Sequence, residues 1–251
     1  MNPPDGRQSS GKARISKLMA ALVGIVVVLA CVVLGGVVLV LVQHSRAVSR
    51  RIECTQNLQR LGLAMLNYSD VNQNFPFEES GRSSFYERIL LVGEGSRDRE
   101  PRAVEYYLCP ARRTTAMAPG KRDYGYAASQ PPEALSVLDT PDPPVNLAGR
   151  AALASGPSKT LVLAHVWMSP ATYTGGDPTD LGWQTLNNAR AINNTAKRDD
   201  DPTGSIQHIG SPHKNVMPCL FADGHVQSLP YDFSFWAQAW AWNNTQPFQL
   251  P

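Results

Sequence analysis

Residues 18–42, LMAALVGIVVVLACVVLGGVVLVLV, run for 25 positions without a charge or a strong polar group. As a helix this run is roughly 37 Å long, enough to cross a hydrocarbon core of about 30 Å with some tilt. A buried core helix of that length keeps a polar face, and this run has none. A cleavable secretory signal has an apolar core of about 7–15 residues followed by a small-x-small site. Here the run is longer, and Val42-Gln43-His44-Ser45-Arg46 supplies no such site, so an uncleaved signal anchor is expected. Cys31 then lies mid-membrane as a small packing residue. Arg7, Lys12, Arg14 and Lys17 against Asp5 give +3 before the run, and Arg46, Arg50, Arg51 and Arg60 against Glu53 give +3 after it. The positive-inside bias is therefore nearly a tie. The short N-terminal tail and large C-terminal part favour a cytoplasmic N-terminus.

No proline interrupts the chain from Leu18 to Val71, and the first breaker is Phe75-Pro76. Val48, Ile52, Leu58, Leu61, Met65 and Leu66, with Thr55 between them, recur at helical steps, which predicts that the helix continues as an amphipathic segment. The expected divisions are a basic tail at 1–17, a span at 18–42, a helix continuation at 43–70 and an extracytoplasmic β-rich domain at 71–251. Eighteen of the 20 prolines fall in that last part, and residues 61–251 carry a net charge of −4. Short strands joined by turns are expected there, with loops at 92–103, 129–150 and 193–212. Thr160–Trp167 reads as a buried strand. Residues 216–229 read as a hairpin whose Asp223-Gly224 pair forms a two-residue type I′ turn and places Phe221 opposite Val226. Pro218 cannot donate to a ladder, which puts that strand at an edge or turns its proline outward. Phe233, Trp236 and Trp240 share one helical face, which either packs on the sheet or forms a docking patch.

A net charge of +2 on 251 residues gives no dense basic face for nucleic acid. Phosphate-cradling loops, dinucleotide fingerprints and nucleophile elbows are missing from the sequence, so no catalytic residue and no enzyme activity are expected. His208, His213, Asp223 and His225 offer Zn²⁺-type ligands, although their spacing matches no metal motif and the turn explains Asp223. Asp199, Asp200 and Asp201 with Asp177 and Asp180 offer oxygen ligands for Ca²⁺, against the plainer reading of a solvated charge run. Cys219 alternates inward in its strand and reads as core. No cofactor is expected.

The segment Cys54-Thr55-Gln56-Asn57-Leu58-Gln59-Arg60-Leu61-Gly62-Leu63-Ala64-Met65-Leu66-Asn67-Tyr68, followed by Phe75-Pro76, resembles the start of planctomycete prepilin-like proteins of the domain-of-unknown-function 1559 family. The resemblance recurs at Leu108-Cys109-Pro110, Tyr124-Gly125-Tyr126-Ala127 and Ser158-Lys159-Thr160-Leu161-Val162. At His213 and Asp223-Gly224 the spacing is similar to the family's C-terminal His-x9-Asp-Gly motif. The resemblance implies an α+β, pilin-like fold, with one long N-terminal helix packed on an antiparallel β-sheet with long loops. It also implies a single-pass protein of the bacterial inner membrane, with its C-terminal domain in the periplasm, that contacts other envelope or secretion proteins or further copies of itself. The sequence departs from prepilin peptidase substrates, since Gly24 precedes Ile25-Val26-Val27-Val28-Leu29 and the apolar run holds no Glu. An unprocessed, stand-alone anchored relative is as consistent with this as a filament subunit. Because Cys54 and Cys109 both fall at motif positions, a disulfide between them is expected, with two buried free thiols as the alternative. The competing functional class is an anchored metal-dependent binding or hydrolytic domain.

Overall fold

The computed structural model describes residues 8–76, 84–94, 104–128, 153–177, 180, 182–184, 189–191 and 196–251. The loop expected at 129–150 and most of that at 92–103 lie outside these. Helix α1 runs from Gln8 to Asn72, and contact density divides the chain between Val48 and Ser49, inside that helix. In the first unit every described side chain from Leu22 to Ala47 is exposed. This stretch is long and apolar enough to be a candidate membrane span, or a signal sequence.

In the second unit α1 becomes one-sided. Cys54, Asn57, Leu58, Leu61, Gly62, Met65, Tyr68 and Ser69 are buried, at steps of three and four that keep them on one face. Ile52, expected on that face, is exposed, because two residues from Cys54 is about 200° around the helix. Val48 and Leu66 are half-buried at its margins, and Asn67 is exposed. The helix ends where Gln73 takes a left-handed φ of 60° and its N–H donates to the Ser69 carbonyl at 2.9 Å. Phe75 is buried, and Pro76 follows where the sequence places the breaker.

A short helix α2 (Phe85–Glu94) follows. The strands are β1 (Tyr124–Ala128), β2 (Leu161–His165), β3 (Ala189–Ala191), β4 (Lys197–Arg198), β5 (Gly210–Ser211), β6 (Val216–Phe221) and β7 (Val226–Pro230), and helix α3 is Trp236–Trp240. Five of them form a sheet in the order β3-β1-β2-β6-β7, antiparallel from β1 to β7 with β3 added in parallel at one edge. Strands β4 and β5 pair separately in parallel, inside the segment expected to be a loop at 193–212. The result is a long N-terminal helix with an antiparallel sheet, an α+β pilin-like layout.

All five residues of β2 are buried, as the apolar run predicts, so this strand is covered on both faces. Strand β6 lies between β2 and β7 and not at an edge. It tolerates Pro218 because its pairing with β2 ends at Cys219, leaving Pro218 in register only with Ser228 of β7. The β6–β7 turn also differs from the expected two-residue turn. Gly224 N–H donates to the Phe221 carbonyl at 2.9 Å and Phe221 N–H to the His225 carbonyl at 3.0 Å. Only Gly224 has a positive φ, 89°. This is a three-residue connection with Gly224 as the left-handed bulge residue. It moves the register by one, so Val226 faces Leu220 and Phe221 stacks on the His225 ring at 4.4 Å. Phe233, Trp236 and Trp240 are buried together, with α3 against β2, so this aromatic stretch packs inward as core.

Candidate functional site

Four chain segments converge on one buried point. Cys54 is brought there by α1, Cys109 by the turn after Leu108, His165 by the end of β2 and His213 by the loop before β6. All four lie within the second unit. Three are completely buried and His213 is 5% exposed. One ligand-type atom from each, two sulfurs and two imidazole nitrogens, lies within 4.8 Å of all the others. The Cys54 Sγ is 3.1 Å from Cys109 Sγ and 2.9 Å from His165 Nε2. Cys109 Sγ is 3.7 Å from His213 Nε2. The Tyr124 hydroxyl sits 3.1 Å from Cys54 Sγ and 3.4 Å from the Leu108 carbonyl, to which Asn57 Nδ2 also donates at 3.0 Å.

The sulfurs named by the motif thus meet, but as free thiols. At 3.1 Å they are outside the S–S bonding distance of about 2.05 Å. Electrostatics separates them. Burial pushes the Cys54 thiol well up, and the neighbouring Cys109 adds to this. At Cys109 burial also raises the value. There it is outweighed by the hydrogen bond from Cys54 and by the charge and hydrogen bonding of His165, which hold this thiol well below its ordinary value. Burial lowers His165, which favours the neutral imidazole. Its Nδ1 is buried without a hydrogen-bond partner among the described residues. Two cysteine sulfurs and two imidazoles in one buried pocket can form a disulfide, share protons or hold a soft divalent metal.

Beside this cluster lies a buried ionic network. Arg112 makes a two-pronged contact with Asp199, Nε to Oδ2 at 2.7 Å and Nη2 to Oδ1 at 2.8 Å, and Nη2 also reaches the Val166 and Gly210 carbonyls at 2.6 and 2.8 Å. Arg113 grips Asp180 through Nη1 at 2.7 Å and Nη2 at 2.9 Å, and Asp123 through Nε at 2.9 Å. The second oxygen of Asp123 accepts from Cys109 N–H at 2.7 Å, which fixes the loop that carries the thiol. Tyr173 donates to Asp199 at 2.6 Å.

Of the metal candidates named from sequence, only His213 joins the cluster. The ring of His208 engages Ser205, at 3.1 Å from its N–H and 2.9 Å from its hydroxyl. His225 is paired with Asp223 at 2.5 Å on the hairpin turn. Asp199 and Asp180 are held by the two arginines. Asp201 accepts from the Thr203 hydroxyl and N–H at 2.7 and 2.8 Å, contacts that hold its carboxyl below the usual carboxylate range. The acidic residues proposed for Ca²⁺ are therefore largely occupied by protein partners. Cys219 is buried in β6, and burial pushes its thiol well above the usual range. Sequence reasoning passed over His165, Arg112, Arg113 and Asp123.

Comparison with known proteins returns no curated protein and no solved structure that matches the chain. One family model matches, over residues 43–89, the segment holding the second half of α1 with Cys54, Asn57 and Gly62. On that segment the chain is similar to the family described as Protein of unknown function (DUF1559).

Proposed function

We propose that this protein is a non-catalytic, membrane-anchored, pilin-like envelope protein that acts through protein contacts in assembly, secretion or cell-surface architecture. The observation that carries this reading is the change of character along α1, which is apolar and exposed from Leu22 to Leu41 but presents one buried face from Cys54 to Ser69. An exposed apolar helix of that length in water would be an aggregation surface, and lipid removes that cost. In this reading the N-terminal tail is cytoplasmic, the second unit lies in the periplasm, and the partners are envelope or secretion proteins or further copies of the chain. The pairing of Asp123, Asp180 and Asp199 with arginines supports a structural use of the buried charges.

Crosslinking in native membranes, followed by mass spectrometry of the purified adducts, tests this. Envelope or secretion components, or adducts between copies, are the expected result. Recovery of the chain as an uncrosslinked monomer under every condition that crosslinks neighbouring envelope proteins removes the reading. The second reading, an anchored metal-dependent binding or hydrolytic domain, is favoured by the four-ligand cluster. Hydrolytic zinc sites keep a coordination position open to water, whereas the residues of this cluster are sealed from solvent.

A further inference from the structure

We propose that Cys54, Cys109, His165 and His213 bind one structural Zn²⁺. This inference is independent of the envelope role, since it concerns only how the second unit is held together. A disulfide would account for the two cysteines and leave the two histidines without a reason to converge on them. Burying a complete imidazole is costly unless its nitrogens are satisfied. Yet His165 is fully buried and turns Nε2 toward the Cys54 thiol, and His213 turns its Nε2 toward that of Cys109. A metal at the centre gives all four side chains one role.

The donor set selects the ion. Two thiolates and two imidazoles make the Cys₂His₂ set of structural zinc, whereas carboxylate and carbonyl oxygens would favour Ca²⁺ or Mg²⁺. Charge agrees as well. Any proton still on the two sulfurs leaves to solvent on binding, and two thiolates with one Zn²⁺ give a neutral centre that can lie in a dry interior. Zn–S and Zn–N bonds of about 2.3 and 2.0 Å require ligand–ligand edges of about 3.3–3.8 Å in a tetrahedron. The 3.7 Å edge already lies in this range, and the 2.9 and 3.1 Å edges reach it when those pairs open by about 0.6 Å. Tyr124, within 3.1 Å of Cys54 Sγ, is placed to donate a hydrogen bond to that thiolate, and the Cys109–Asp123 contact orients the other. With four protein ligands and no solvent access, the ion is a clasp joining α1, the Cys109 turn, β2 and the loop before β6.

The test uses the full chain, extracted from membranes in detergent at neutral pH, with a separate aliquot acid-trapped and alkylated only to read the thiol state. Elemental analysis is expected to give close to one zinc per chain, and X-ray absorption at the zinc edge two sulfur and two nitrogen neighbours. This second measurement needs no variant and so does not depend on a mutant folding. Chelation should lower the melting temperature, and Zn²⁺ alone should restore it. The C54S/C109S and H165N/H213N variants should lose the metal, while H225A, outside the cluster, keeps it. A Cys54–Cys109 disulfide in the trapped protein overturns the proposal. So does failure to take up Zn²⁺ stoichiometrically under reducing conditions, or a zinc edge without sulfur neighbours.

Discussion

Gly62 of α1 and Gly224 of the β6–β7 turn face each other across a gap too narrow for a side chain. A Cβ on Gly62 would lie 3.2 Å from the Gly224 carbonyl oxygen, 3.3 Å from its Cα and 2.7 Å from Leu220 Cδ1. A Cβ on Gly224 would lie 2.7 Å from Leu66 Cδ1, at a φ of 89° that L side chains rarely adopt. The two glycines therefore set how closely the helix approaches the hairpin.

Gly62→Val places a branched side chain against the Gly224 backbone, which has no rotamer with which to yield. Overpacking of this kind costs about 1–3 kcal/mol. The cost should appear as a lower denaturant midpoint with an unchanged m-value. Leu63→Ala, one position along at a residue 63% exposed, should leave the midpoint within about 0.5 kcal/mol. Equal midpoints for both variants would mean that helix and hairpin do not approach as described.

The Arg112–Asp199 pair is buried, with side chains 0% and 1% exposed. Removing one partner leaves a charge in the interior, which typically costs 3–5 kcal/mol. Arg112→Met should destabilise by about that much, and it also deprives the Val166 and Gly210 carbonyls of their donor. Adding Asp199→Asn should recover part of the loss, because the stranded carboxylate is then gone. A double-mutant cycle with no coupling between these positions would remove the ion pair from the account.

How much of this the sequence reveals depends on how far each signal reaches along the chain. The apolar run, the Phe75-Pro76 stop and the β2 strand are local patterns, and they appear where periodicity places them. The hairpin turn is one residue longer than expected because Asp-Gly also suits a three-residue loop, in which only the glycine needs a positive φ. The cluster is non-local. Cys54, Cys109 and His213 are visible as motif positions, but His165 closes an apolar strand and reads there as a core residue. A histidine at the end of a strand otherwise free of polar groups is the signal that could have found it. Arg112 and Arg113 carry no sequence signal that marks them as buried, since arginines are mostly exposed. Their partners Asp123, Asp180 and Asp199 lie 10 to 87 positions away, beyond the i,i+3 and i,i+4 spacing at which a sequence pairs charges.

The C-terminal aromatics divide by depth. Trp240 is completely buried, whereas Trp242 is half-buried at the margin of the core. Trp240→Ala should cost about 3–5 kcal/mol, the range for deleting a large aromatic from a packed interior. Trp242→Ala should cost clearly less and leave the near-ultraviolet circular dichroism of the fold in place. A larger loss from Trp242 than from Trp240 would reverse the assignment of which ring is core.

The exposed apolar half of α1 gives the last prediction. A charged side chain at the centre of a spanning helix costs about 2.5–3.5 kcal/mol on insertion scales. Val28→Arg together with Val33→Arg should therefore abolish stable insertion of this run. The unaltered chain should stay in the membrane pellet through alkaline carbonate, and the double variant should leave it. The intact mass of the membrane-bound protein separates an anchor from a removable signal, because cleavage after the apolar run would take residues 18–42 with it. A mature chain beginning beyond Val42, or one released by carbonate, contradicts an anchored helix. Retention of the double variant would mean that something other than this run holds the protein to the membrane.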